Sequence, residues 1–78
     1  MLLASVIGSV DVDPTARHAL NEICAAMSRL KIECLCTGND LGTDVHTETT
    51  DAADFAEARR VIGELIEREK MPAFLWNK

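Results

Sequence analysis

The apolar positions of the chain fall into groups whose spacing changes from one segment to the next. In the first ten residues Leu2, Leu3, Val6, Ile7 and Val10 occupy both parities of a strand. A strand with one wet face alternates apolar and polar side chains. This pattern predicts an interior strand covered above and below. Gly8 to Asp13 then leaves the strand. Asp13-Pro14 predicts a helix start, with Asp13 as N-cap and Pro14 at the first helical position. Ala16, Ala19, Leu20, Ile23, Met27 and Leu30 recur at intervals of three and four, one stripe of a helix that runs to about Leu30.

Lys31 to Thr37 returns to alternation. Ile32, Cys34 and Cys36 share one face; Glu33, Leu35 and Thr37 share the other. Gly38-Asn39-Asp40-Leu41-Gly42 is turn chemistry. Thr43 to Thr49 reads as a partner strand with Val45 inward, or else as an exposed loop. Thr50 or Asp51 then caps a second helix, Ala52 to about Lys70. Its apolar face is Phe55, Ala58, Ile62, Leu65 and Ile66, and Glu64 and Arg68 stand at ion-pair spacing. Gly63 costs about 1 kcal/mol there relative to alanine, which a close approach by a neighbour would offset. Ala73 to Trp76 predicts a last short strand, and Pro72 at its start suits an edge.

The order β-α-β-β-α-β predicts an α+β, ferredoxin-like domain over residues 1–78: a four-stranded antiparallel sheet with two helices on one face. The first strand is interior and the fourth lies at an edge. Helices cover one side of such a sheet, so a first strand apolar on both sides calls for a second subunit. A homodimer is expected.

Seventy-eight residues make one domain with a thin core. A net charge of −5 repels phosphate backbones, so no nucleic-acid partner is expected. The apolar runs are far too short to span a membrane, and no membrane partner is expected. The first residues lack a basic region and a small-residue cleavage site, so they do not read as a secretion signal. Three cysteines cannot close a disulfide framework among themselves, which suits reduced thiols in the cytoplasm.

Candidate chemistry is sparse. Cys24, Cys34, Cys36, His18 and His46 do not follow a zinc spacing, and no metal or other cofactor is expected. Cys34 and Cys36 share parity with Ile32 and read as small buried hydrophobes, set against Val45 across the hairpin. His46 then faces the other way. His18 and Glu22 read as a solvated helix pair. Asp44, His46 and Glu48 share one strand face, either as a polar surface near an interface or as a place to hold a cation or a polar ligand. No nucleophile–base–orienter set assembles, so the chain does not read as an enzyme. Other functions of this fold fail by absence. The first and third strands lack the aromatic residues on which RNA-binding domains stack bases. The loop Gly8-Ser9-Val10-Asp11 has neither the Cys-x-x-Cys of metal chaperones nor the arginine of acylphosphatases.

Ser5-Val6-Ile7-Gly8 closing the first strand, Asp11 and Asp13-Pro14 leading into the helix, and Ile32 opening the second strand resemble an ACT-type regulatory domain over residues 4–66. Thr15 and Leu30-Lys31 stand where that family often has glycine. The resemblance implies a dimer that binds amino acids or related small molecules at the loop after the first strand. Gly8, Asp11 and Asp13 are then the ligand-binding candidates. Turn glycine, solvated charge and helix cap are their purely structural roles. The expected function is a dimeric, non-catalytic sensing or regulatory module. The alternatives are a protein-interaction module docking through the open sheet face, with Phe74 and Trp76 as anchors, or a small dimeric enzyme of the same fold.

Overall fold

A computed structural model describes residues 1–76. The elements are β1 (Leu2–Ile7), α1 (Pro14–Arg29), β2 (Cys34–Gly38), β3 (Gly42–Thr47), α2 (Ala52–Glu69) and β4 (Ala73–Leu75). All strand pairs are antiparallel, in one sheet of order β2-β3-β1-β4. Each helix therefore connects two strands that run the same way with a third between them. Of the segment expected as strand or loop, 43–49, residues 43–47 belong to an interior strand, and 48–49 lie beyond its end.

Both helices begin as the sequence predicts. Asp13 Oδ1 accepts from the amides of Thr15 (2.9 Å) and Ala16 (3.4 Å), and Asp51 Oδ1 accepts from Ala53 (2.8 Å) and Asp54 (3.1 Å). These bonds satisfy amides that the helix leaves free at its first turn. At the far end of α2, Lys70 adopts a left-handed conformation and ends the helix. Ala16, Ala19, Ile23, Ala26 and Met27 of α1 and Ala58, Ile62 and Leu65 of α2 are buried together with Leu3, Ala4, Val6 and Val45. Small alanines on α1 let that helix lie close to the sheet.

The surface pairing of α2 differs from the expected one. Glu64 bonds Arg60 (2.9 Å), which also bonds Glu57, instead of Arg68. Gly63 has the neighbour that its cost calls for: a Cβ there would lie 3.1 Å from Leu75 Cδ1 of β4.

Two expectations need correction. The first concerns β1. Leu2 pairs with His46 and Ala4 with Val45, so one extra residue of β1 sits between them as a bulge. Leu3 and Ala4 are both fully buried in the core. The doubled apolar pattern thus reports a bulge as well as an interior position. On the outer face, away from the helices, β1 carries Leu2, Ser5 and Ile7, and only Ile7 is a large exposed hydrophobic.

The second concerns the cysteines. Cys36 pairs with Val45 and Cys34 with Thr47, in the expected register, but Cys36 is exposed and Cys34 half-buried. β2 is an edge strand, and the apolar cover beneath it thins out beyond Ile32. Parity gave the correct face but not the depth of cover.

Candidate functional site

Two loops meet at one end of the sheet. Gly8 leaves β1 at φ +108°, a conformation that favours glycine. Its amide donates to Leu41 O (2.9 Å), which ties the β1–α1 loop to the β2–β3 hairpin. Asn39 organises that hairpin: its Oδ1 accepts from the amides of Leu41 (2.8 Å) and Gly42 (2.9 Å). Arg17 braces the other loop, donating from Nε to Val10 O (3.0 Å) and from Nη2 to Asp11 O (2.8 Å).

The result is a cleft of about 510 Å³ between residues 8–11 and 38–43. Gly8 and Asp11 line it. Asp13 does not: its carboxylate is turned to the first turn of α1 as a cap. Val12 and Leu41, one in each loop, are the most exposed large hydrophobic side chains among the described residues, at 78% and 74%.

A second, smaller site lies on the outer face of the sheet. Ser5 of β1 stands beside Asp44 of β3 and Phe74 of β4. Trp76 Nε1 donates to Ser5 Oγ (2.7 Å), and Ser5 Oγ donates to Asp44 Oδ1 (2.5 Å). The rings of Phe74 and Trp76 lie with centroids 5.2 Å apart and planes inclined at 55°. Sequence reasoning had placed the two aromatics on one side and Asp44 with His46 on one face. It missed Ser5, which joins them. The signal was there: Ser5 is the one hydroxyl in the apolar run Leu2–Ile7. His46 shares the outer face of β3 with Asp44, whereas Glu48 lies beyond the end of the strand.

The remaining chemistry-bearing groups are scattered. Cys24 Sγ lies 3.9 Å from Cys36 Sγ. Burial pushes the Cys24 thiol up to about 11, helped by the neighbouring Cys36, and burial also raises Cys34. Both therefore stay protonated near neutral pH. His18, Glu22 and Glu69 bring donor atoms within 4.8 Å of one another at the surface, with His18 Nε2 3.2 Å from Glu69 Oε1. Exposed groups of this kind gather without a metal, and nothing else there points to one.

Among the described residues no helix is long and apolar enough to cross a membrane. No family model matches the chain, and no curated protein or solved structure matches it.

Proposed function

We propose that the chain is a non-catalytic, small-molecule-binding regulatory module of ferredoxin-like, ACT-type architecture that acts as a dimer. The observation that carries this reading is the cleft between the β1–α1 loop and the β2–β3 hairpin. It has the volume of a metabolite site and offers loop amides and the Asp11 carboxylate to a polar ligand. The ferredoxin-like arrangement is supported by the interleaving of the two β-α-β units. The dimer is supported by Val12 and Leu41, which flank the cleft and are three-quarters exposed. A second copy placed against the loops would cover both and close the cleft.

Thermal-shift measurements against amino acids and common metabolites test the reading. A ligand that binds only the folded chain raises the midpoint in proportion to the logarithm of its concentration. The expected result is a dose-dependent rise that is reduced in Asp11→Ala. A flat response across the set overturns it.

A second reading, protein docking through the outer sheet face, is supported by a different observation: Ile7, Leu35, Phe74 and Trp76 are all exposed there. On that reading the thermal midpoint stays flat with metabolites.

A further inference from the structure

We propose that the small pocket on the outer sheet face binds the head group of an organic cation, an alkylammonium or guanidinium. The pocket holds about 190 Å³. Sites for larger organic ligands run to roughly 300–1,000 Å³, so this one fits a head group alone. Ile7 and Leu41 form apolar walls, Phe74 and Trp76 supply two aromatic rings, and Ser5 and Asp44 supply the polar groups.

The arrangement is matched to positive charge. Asp44 is half-buried, and among the described residues no Lys, Arg or His lies in ion-pair range of it. A carboxylate partly withdrawn from water without a counter-charge is costly. Ser5 offsets part of that cost at Oδ1 and fixes the orientation of the group. A cation entering the pocket would supply the missing counter-charge. The rings add a second attraction, because a cation beside an aromatic face meets its negative quadrupole. Trp76 is held for this role by its bond to Ser5, so the ring is placed before a ligand arrives. The net charge of −5 further enriches cations near the surface. This pocket adjoins the loop cleft proposed above and shares Asn39 and Leu41 with it. Its charged group is Asp44 and that assigned to the cleft is Asp11, so Asp44→Asn and Asp11→Ala tell failure of one from failure of the other.

Trp76 is the only tryptophan in the chain, so its fluorescence reports on the pocket directly. The titrants are choline and its neutral analogue, in which carbon replaces the quaternary nitrogen. The expected result is a saturable change with choline and binding of the analogue weaker by about tenfold, the loss of the positive charge's attraction to the aromatic rings and to the Asp44 carboxylate. Asp44→Asn keeps the acceptor for Ser5 and removes the charge, and should weaken choline by a similar factor. Glu67→Gln, on the exposed side of α2, should leave choline binding unchanged. Capped lysine and arginine amides distinguish the source: tighter binding of either points to a side chain of a protein partner, and tighter binding of choline to a free metabolite. A response that does not saturate, equal binding of choline and its neutral analogue, or unchanged choline binding in a folded Asp44→Asn variant would overturn the proposal. The comparison of charged and neutral titrants on the unaltered chain decides the matter even if the variant does not fold.

Discussion

Gly42 lies against the backbone of Val6 so closely that a Cβ at Gly42 would sit 1.9 Å from Val6 O. No side chain can relieve that contact, because the obstacle is main chain in the middle of the sheet. Gly42→Ala should therefore destabilise the fold by about 3 kcal/mol, at the upper end for overpacking. Gly38, four residues earlier in the same hairpin, has nothing within 4 Å of its would-be Cβ. Gly38→Ala should stay within about 0.5 kcal/mol of the parent. Urea denaturation of the pair checks the claim, and equal losses would disprove the assigned register.

The bulge in β1 makes a second matched pair. Leu3 is fully buried and Ile7 is 42% exposed. Leu3→Ala should cost about 2–5 kcal/mol, as for other large-to-small core changes. Ile7→Ala should cost less than about 1.5 kcal/mol, because much of its surface stays in water. A strand without the bulge would place both side chains on the same face and bring their costs together. Chemical denaturation of the two variants distinguishes these arrangements.

Asp13 and Asp11 separate stability from binding. Asp13→Ala removes the acceptor for two first-turn amides and should cost about 0.5–2 kcal/mol. Asp13→Asn should cost much less, since the amide oxygen still caps and only the charge opposite the helix dipole is lost. Asp11→Ala should hardly change stability. Its backbone carbonyl, which Arg17 holds, is unaltered by the substitution. A loss at Asp11 equal to that at Asp13 would show that the loop is held by the Asp11 side chain instead.

The thiols predict a pH dependence. The folded state holds the proton of Cys24 up to about 11, above the ordinary value of 9.0. Between these two values the folded chain binds more protons than the unfolded one. Stability should be unaffected by this group below pH 9 and should fall as pH rises toward 11. Cys24→Ala should flatten that part of the curve. In alkylation at neutral pH followed by peptide mapping, exposed Cys36 should label first and Cys24 last. Labelling of Cys24 as fast as Cys36 would contradict the cause assigned to its raised value, which is burial.

The parts of this fold legible in the sequence are those set by neighbours close along the chain. Asp13-Pro14 and Asp51 begin the helices where they should, because a cap acts over two or three residues. The stripes of Ile23 and Met27, and of Ile62 and Leu65, face the core because helical periodicity is local. The bulge after Leu2 was hidden, since an extra residue in one strand is defined only against its partner. The exposure of Cys36 was hidden for a similar reason: parity names a face, and the reach of a helix decides how much of that face is covered. Of the loop cleft, Gly8 and Asp11 were legible and the hairpin wall was not. The bond from Trp76 to Ser5 spans 71 positions, and nothing local announces it.

The pairing of β1 with β4 also orders events during synthesis. Among the described elements, β1 is synthesised before the others and β4 after them. Until residues 73–75 emerge, one edge of β1 has no strand to pair with, and Ser5 lacks the indole that bonds it. An unpaired edge in an apolar strand is a template for other nascent chains. Fast pairing of β1 with β3, available as soon as the hairpin is out, shields the opposite edge and leaves a single exposed side. Pairing of the three-residue strand β4 therefore acts as a closing step for the four described strands, bringing residues 4–6 and 73–75 together.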